Sequence, residues 1–155
     1  MPKSFSQEKL GYLLVAFLIV LGDQVSKFIV VSNFDLGEHT MILPFLNIVR
    51  VENCGVTFGL LRGVLQPLVF VVISLAIIVA LCIWGKDHES HHWPVCLIVS
   101  GAVGNMIDRI VYKAVIDFLD FHLLTYHWPA FNIADSAIVV GVLVLSFISY
   151  KEEKA

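Results

Sequence analysis

Gly101–Phe121 reads GAVGNMIDRIVYKAVIDFLDF, and after a short turn Phe131–Ser136 reads FNIADS. These stretches gather four aspartates (Asp108, Asp117, Asp120, Asp135), two asparagines (Asn105, Asn132) and Arg109 into a chain that is 58% hydrophobic and only 15% charged. Soluble domains are about half apolar and a quarter charged, so the composition indicates a membrane setting. Ionisable groups at membrane depth are costly; they face a protein interior or a water-filled cavity and mark a functional site.

Gly101, Asn105, Asp108 and Arg109 fall at i, i+4, i+7 and i+8, one stripe of a helix, where the small Gly101 permits close approach of a neighbour. Working outward, Trp93–Val111 reads as a third span and Ala130–Ser149 as a fourth. Leu10–Val31 is longer than a signal-peptide core and lacks a cleavage site, so it reads as a first span. Val64–Trp84 is the second, with Pro67 tolerated in its first turn. The expected fold is a single membrane all-α domain over residues 1–155. It has four transmembrane helices (about 10–31, 64–84, 93–111 and 130–149), a small extracytoplasmic β-sheet and a short extracytoplasmic loop segment. The sheet is expected within 32–63, where MILPFLNIVRVEN reads as one or two strands. The loop segment is 112–129.

Four spans put both termini on one side and the polar cluster at the other. The terminal side carries Lys3, Lys9, Lys86, Lys151 and Lys154 against Arg50, Arg62 and Lys113 opposite, once the helix-embedded Lys27 and Arg109 are set aside. That excess places the termini in the cytoplasm. A net charge of −3 suggests no nucleic-acid partner. Cys54, Cys82 and Cys96 are too scattered for a disulfide framework and read as reduced. A monomer without cofactor is expected, with membrane lipids as its surroundings.

Two local features carry two readings each. Asp23 and Lys27, one turn apart, form either a self-neutralising pair reaching for the interface or a support for a site. Asn132 and Asp135, three apart, suit either a helix cap with a carboxylate in the first turn or part of a reactive centre. Asp117 lies in the apolar stretch AVIDFLDF, where a carboxylate is poorly solvated and its pKa rises. Two converging carboxylates are what an aspartic peptidase needs: sharing one proton, one activates water while the other protonates the amide. Ser26, Ser100 and Ser136 have no neighbouring base in sequence, and Cys54 has no evident histidine. His88–His92, HESHH, matches the HExxH zinc-protease pattern but sits in a short loop, leaving no third ligand in view. An ion-coupled transporter is a further alternative, without the internal repeat expected of one.

DQVSK (23–27), NCGVTFG (53–59), GAVGNMIDR (101–109), VIDF (115–118) and FNIADS (131–136) resemble, in order and over nearly the whole chain, the blocks of lipoprotein signal peptidase, the bacterial signal peptidase II. The resemblance implies an inner-membrane aspartyl endopeptidase that removes signal peptides from prolipoproteins by cutting just before the diacylglyceryl-modified cysteine. It implies Asp117 and Asp135 as the catalytic pair. Asp23, Lys27, Asn53, Gly55, Gly101, Asn105, Asp108, Arg109 and Asn132 would form the supporting polar shell, with no metal. The active site would face the extracytoplasmic side. One departure is NCGVTFG, where the family more often has two small residues before the phenylalanine; Val56 and Thr57 stand there.

Overall fold

The computed structural model describes residues 5–55, 67–86 and 88–154. Four helices, α1 (Phe5–Asn33), α2 (Pro67–Gly85), α3 (His92–Val111) and α4 (Ile133–Glu153), are each long and apolar enough to cross a membrane. α3 is the central one and packs on the other three. Its contact with α4 is backbone to backbone: a Cβ added at Gly101 would lie 2.2 Å from the carbonyl oxygen of Ala134, and one at Gly141 2.8 Å from that of Pro94. Glycine at such crossings lets helices approach without an apolar driving force between them. α4 begins three residues later than its apolar run suggests, because Phe131 is hydrogen-bonded to a strand and Asn132 caps the helix. α2 starts at Pro67 within the described residues; the expected start at Val64 lies outside them.

Beyond α1 and α3 lies a four-stranded antiparallel sheet in the order β1 (His39–Leu43), β2 (Leu46–Asn53), β3 (Val115–Leu123), β4 (Tyr126–His127). Two of its strands come from 112–129, expected as a loop segment. The first four residues of β3 are all buried, so the alternation that signals a strand is missing where β3 rests on the helices. After α3 the chain reverses through Lys113, whose φ of 63° lies in the left-handed region. The sheet is bolted to α1 by Arg50, whose Nη1 donates to the carbonyls of Val31 (3.3 Å), in the last turn, and Phe34 (3.0 Å), just beyond it, where a helix end leaves carbonyls unpaired. It is bolted to α4 by Phe131, which exchanges backbone hydrogen bonds of 2.8 and 3.1 Å with Leu119. Met41, Ile42, Phe45, Leu124, Tyr126 and Trp128 are exposed along its rim, as suits a surface lying against lipid.

At the opposite end, Glu89–His91 forms one 3₁₀ turn before α3, and Ser90 Oγ donates to Glu152 of α4 at 2.7 Å.

Candidate active site

Lys27 is the hub of the polar cluster. Its ammonium is fully buried and contacts Asp23 at 2.7 Å, Asp108 at 2.6 Å and Asn105 Oδ1 at 3.2 Å. Both carboxylates are buried as well, so the reading of Asp23 and Lys27 as a pair reaching for the interface is overturned. Burying an ion pair costs more desolvation than the attraction returns unless further hydrogen bonds satisfy the remaining oxygens. Here they do. Asp23 Oδ1 accepts the amide of Ala134 at 2.9 Å, and Asp108 Oδ2 accepts the amide of Ile116 at 3.1 Å. Those amides belong to the residues immediately before Asp135 and Asp117. A single ammonium, through two carboxylates, thereby fixes the backbone at both aspartates.

Asp117 is buried at the start of β3, and each of its oxygens is held by an asparagine. Asn132 Nδ2 donates to Oδ1 at 2.7 Å, and Asn53 Nδ2 donates to Oδ2 at 3.2 Å. Each asparagine is locked at its other end: Asn132 Oδ1 accepts the amide of Asp135 (2.8 Å), and Asn53 Oδ1 accepts that of Gly55 (3.2 Å). With the carbonyl oxygens engaged by backbone donors, the amide nitrogens must face the carboxylate. Asn132 therefore caps α4 and holds Asp117 at once. Burial, and secondarily the charge of Asp135, push the Asp117 carboxyl up to about 7 despite the two asparagines and Lys27.

Asp135 stands in the first turn of α4, its Oδ1 accepting from Asn105 Nδ2 at 2.7 Å. Asn105 in turn accepts from Lys27 and from Asn132 Nδ2 (3.3 Å), closing a network Lys27–Asn105–Asp135 and Asn105–Asn132–Asp117. Asp117 also lines a cavity of about 460 Å³ opening between the end of β2 (Asn53–Gly55) and Pro129–Ala130. Two carboxylates held at one polar cluster, one keeping its proton to neutral pH beside a cavity, can divide acid and base roles between them.

Asn105 and Asp108 face this cluster, as the stripe predicts, while Gly101 meets α4 at Ala134 and Ile138. Arg109 is half-buried beside the cluster, within range of the charges of Asp135, Asp108 and Asp117: its Nη1 donates back to Asn105 O (3.1 Å) and its guanidinium lies over Phe70, 5.5 Å from the ring centre. Sequence reasoning missed Gln24, whose Nε2 bridges Asp108 (2.9 Å), Asp23 (3.2 Å) and Gly104 O (3.2 Å). A primary amide within an apolar span, next to Asp23, was the available signal. Gly104 was missed too; a Cβ there would lie 2.6 Å from Asp23 Oδ2. Val56 and Thr57 lie outside the described residues. Asp120 faces away, bonded to Asn47 (2.8 Å) and His127 (2.9 Å); burial is the largest single influence and raises its carboxyl, but these partners and the charges of His127 and His122 together outweigh it and hold it below the usual range.

The alternatives find no support. HESHH is no helix face: His88 is extended (φ −130°, ψ 97°), Glu89–His91 is 3₁₀, and α3 begins only at His92. His88 stacks on Trp84 and His91, whereas His92 packs edge-on against Tyr12. Ser26, Ser100 and Ser136 each donate to a helix carbonyl. Among the described residues, the network around Lys27 and Asp117 stays at one end of the bundle, apart from the Ser90–Glu152 contact at the other, whereas a relay would need continuity between them.

The sequence profile of the family described as Signal peptidase (SPase) II matches residues 15–151. Lipoprotein signal peptidase of Shewanella pealeana is 40% identical, covering 99% of this chain and 96% of that protein. The same-named protein of Paraburkholderia phymatum is 43% identical over 86% of this chain and 83% of its own. Among solved structures, a bacterial membrane enzyme determined by the in meso method at 2.3 Å resolution superposes with a TM-score of 0.83 at 32% identity, covering 92% of this chain and 89% of the other. A second, at 1.9 Å, gives a TM-score of 0.78 at 32% identity. Built of four such spans, this multi-pass membrane protein belongs to the signal peptidase II family.

Proposed function

We propose that this protein removes signal peptides from prolipoproteins as an aspartic endopeptidase, with Asp117 and Asp135 as its catalytic residues. The observation that carries the reading is the pair itself: two aspartates from different elements, joined through Asn132 and Asn105, with Asp117 protonated up to about pH 7 at a cavity wall. Asp135 takes a proton from water, and the oxygen attacks the scissile carbonyl carbon. Asp117 gives its proton to the carbonyl oxygen. The tetrahedral gem-diol then collapses: Asp135 gives the proton it took from water to the amide nitrogen, Asp117 takes back a hydroxyl proton, and the C–N bond breaks. Both aspartates end in their starting protonation states.

A signal peptide spanning the membrane as a helix has its backbone amides bonded, so its scissile bond must be unwound before attack. Asn53, Gly55 and the strand ends around the cavity are placed to hold an extended segment, while the open faces between spans admit the diacylglyceryl chains of the modified cysteine. The charge bias supports termini in the cytoplasm and aspartates on the extracytoplasmic side, in the bacterial inner membrane that the family resemblance implies.

The experiment is cleavage of a diacylglyceryl prolipoprotein by purified protein in detergent, with and without a strong chelator. Cleavage just before the modified cysteine, unaffected by chelation and lost in both Asp117→Asn and Asp135→Asn, is expected. Activity that survives either substitution removes the aspartic mechanism.

A further inference from the structure

The carboxylate oxygens of Asp23 and Asp108 are unequally supplied with donors. On Asp23, Oδ1 accepts the Ala134 amide at 2.9 Å and Oδ2 meets Lys27 Nζ at 2.7 Å, so each oxygen has a partner before Gln24 is counted. On Asp108, Oδ2 meets Lys27 Nζ at 2.6 Å and accepts the Ile116 amide at 3.1 Å. Its Oδ1, among the described residues, has Gln24 Nε2 alone, at 2.9 Å. Asp108 is fully buried, and a buried charged oxygen deprived of its donor bears the whole desolvation penalty. The orientation of the Gln24 amide is fixed too. Asp108 Oδ1, Asp23 Oδ2 (3.2 Å) and Gly104 O (3.2 Å) are all acceptors, so the nitrogen faces them.

We propose that Gln24 is a positioning residue for Asp117, acting through Asp108 on the backbone of Ile116. The Ile116 peptide immediately precedes Asp117 and is gripped from two helices: its amide by Asp108 of α3, its carbonyl by Asn132 Nδ2 of α4 at 3.3 Å. Without Gln24, Asp108 satisfies Oδ1 only by turning, and turning draws Oδ2 off the Ile116 amide. The carbonyl grip alone leaves the start of β3 free to swing, and Asp117 loses its alignment with Asn53 and Asn132. Asp135 is spared, because Asp23 keeps Ala134 and Lys27 on separate oxygens. Gln24 thus serves one aspartate and not the other. This role rests on the reading of Asp117 as a catalytic residue.

Backbone amide hydrogen exchange, followed by NMR on the full chain in detergent, reads this coupling with no substrate present. Gln24→Met keeps the side chain's length and removes its donor. It is expected to speed exchange at Ile116 by about tenfold or more, as the loss of one hydrogen bond to a charged group allows, while Ala134 stays near wild type. In cleavage of a diacylglyceryl prolipoprotein, kcat should fall about tenfold at nearly constant KM. Gln24→Glu supplies a donor only while the introduced carboxyl holds its proton. Slow Ile116 exchange and wild-type turnover at the same pH should therefore return in acid and be lost as that carboxyl ionises; this variant gives the reading if Gln24→Met fails to fold. Unchanged exchange at Ile116 overturns the role whatever happens to cleavage, and equal acceleration at Ile116 and Ala134 means general loosening and overturns it too. Selective acceleration with kcat unchanged would show Gln24 holding the strand without serving the reaction, and overturn it equally. Selective acceleration in a protein whose wild type cleaves no prolipoprotein would support the Gln24–Asp108–Ile116 coupling and refute the peptidase reading instead.

Discussion

Asp117 is held by two asparagines that report on different parts of the chain, Asn53 on the end of β2 and Asn132 on the start of α4. Its carboxyl, pushed to about 7 by burial and by Asp135, has consequences for both stability and rate. The native state keeps a proton that the unfolded chain, with an ordinary aspartate pKa of about 3.9, releases. Stability therefore falls as pH rises from about 4 to about 7 and levels off above that. Thermal unfolding in detergent across this window should show the decline, and Asp117→Asn should flatten it. If Asp117 donates a proton in catalysis, as proposed, kcat/KM should show a basic limb near pH 7. Asn53→Ala removes a donor to the ionised carboxylate and should move that limb upward by about one unit or less, as a pH–rate profile would show. Asp117→Asn and Asp135→Asn should each lower kcat on the order of 10³-fold. Asp120 is bonded to Asn47 and His127 on the sheet, so Asp120→Asn should stay near wild type. Equal losses at all three would refute the assignment.

Among elements, the α3–α4 crossing sets where Asp135 sits. Gly101→Leu must displace Ala134, whose carbonyl lies where the new Cβ would go. A cost of about 1–3 kcal/mol is expected from such overpacking, with turnover lost in proportion as Asp135 leaves Asn105; a variant as active and as thermostable as wild type would show that the crossing does not position the site. This contact was readable from the chain, because helical spacing put Gly101, Asn105 and Asp108 on one stripe. The strand carrying Asp117 was not readable. Val115–Phe118 is buried throughout, so it lacks alternation, and its pairing with β2 joins residues more than sixty apart in sequence. Nor could the sequence show that Asn53 and Asn132 grip the same carboxylate, since local spacing says nothing of which loops meet. Gln24 was hidden for another reason: next to a charged pair, a neutral amide draws little notice until its three acceptors are seen.

For the whole molecule, the aspartates, the sheet and the apolar rim share one end of the bundle, so substrate must arrive at the interface rather than through the protein. If acyl chains set the register of the modified cysteine against Asp117, removing them should lower turnover more than it weakens binding. The check is to compare kcat and KM for one prolipoprotein with and without its diacylglyceryl group in the same membrane mimetic. Equal kcat and cleavage at the same bond would rule out a positioning role for the lipid.

The partnership of Lys27 with Asp23 on its own helix also bears on how the protein is made. An unpaired ionised side chain costs about 2.5–3.5 kcal/mol on insertion at the centre of a span and less toward its end, where Lys27 lies, and α1 emerges before α2, α3 and α4 can neutralise it. Since Asp23 lies one turn from Lys27 and contacts it directly, α1 brings its own counter-ion and can enter the bilayer alone. Asp108, whose cation is on α1, can be paired only after α1 is in place. The order of synthesis is thus the order in which charge is neutralised. In an insertion assay on isolated helices, Asp23→Ala should impair α1, and the double variant Asp23→Ala, Lys27→Ala should restore it.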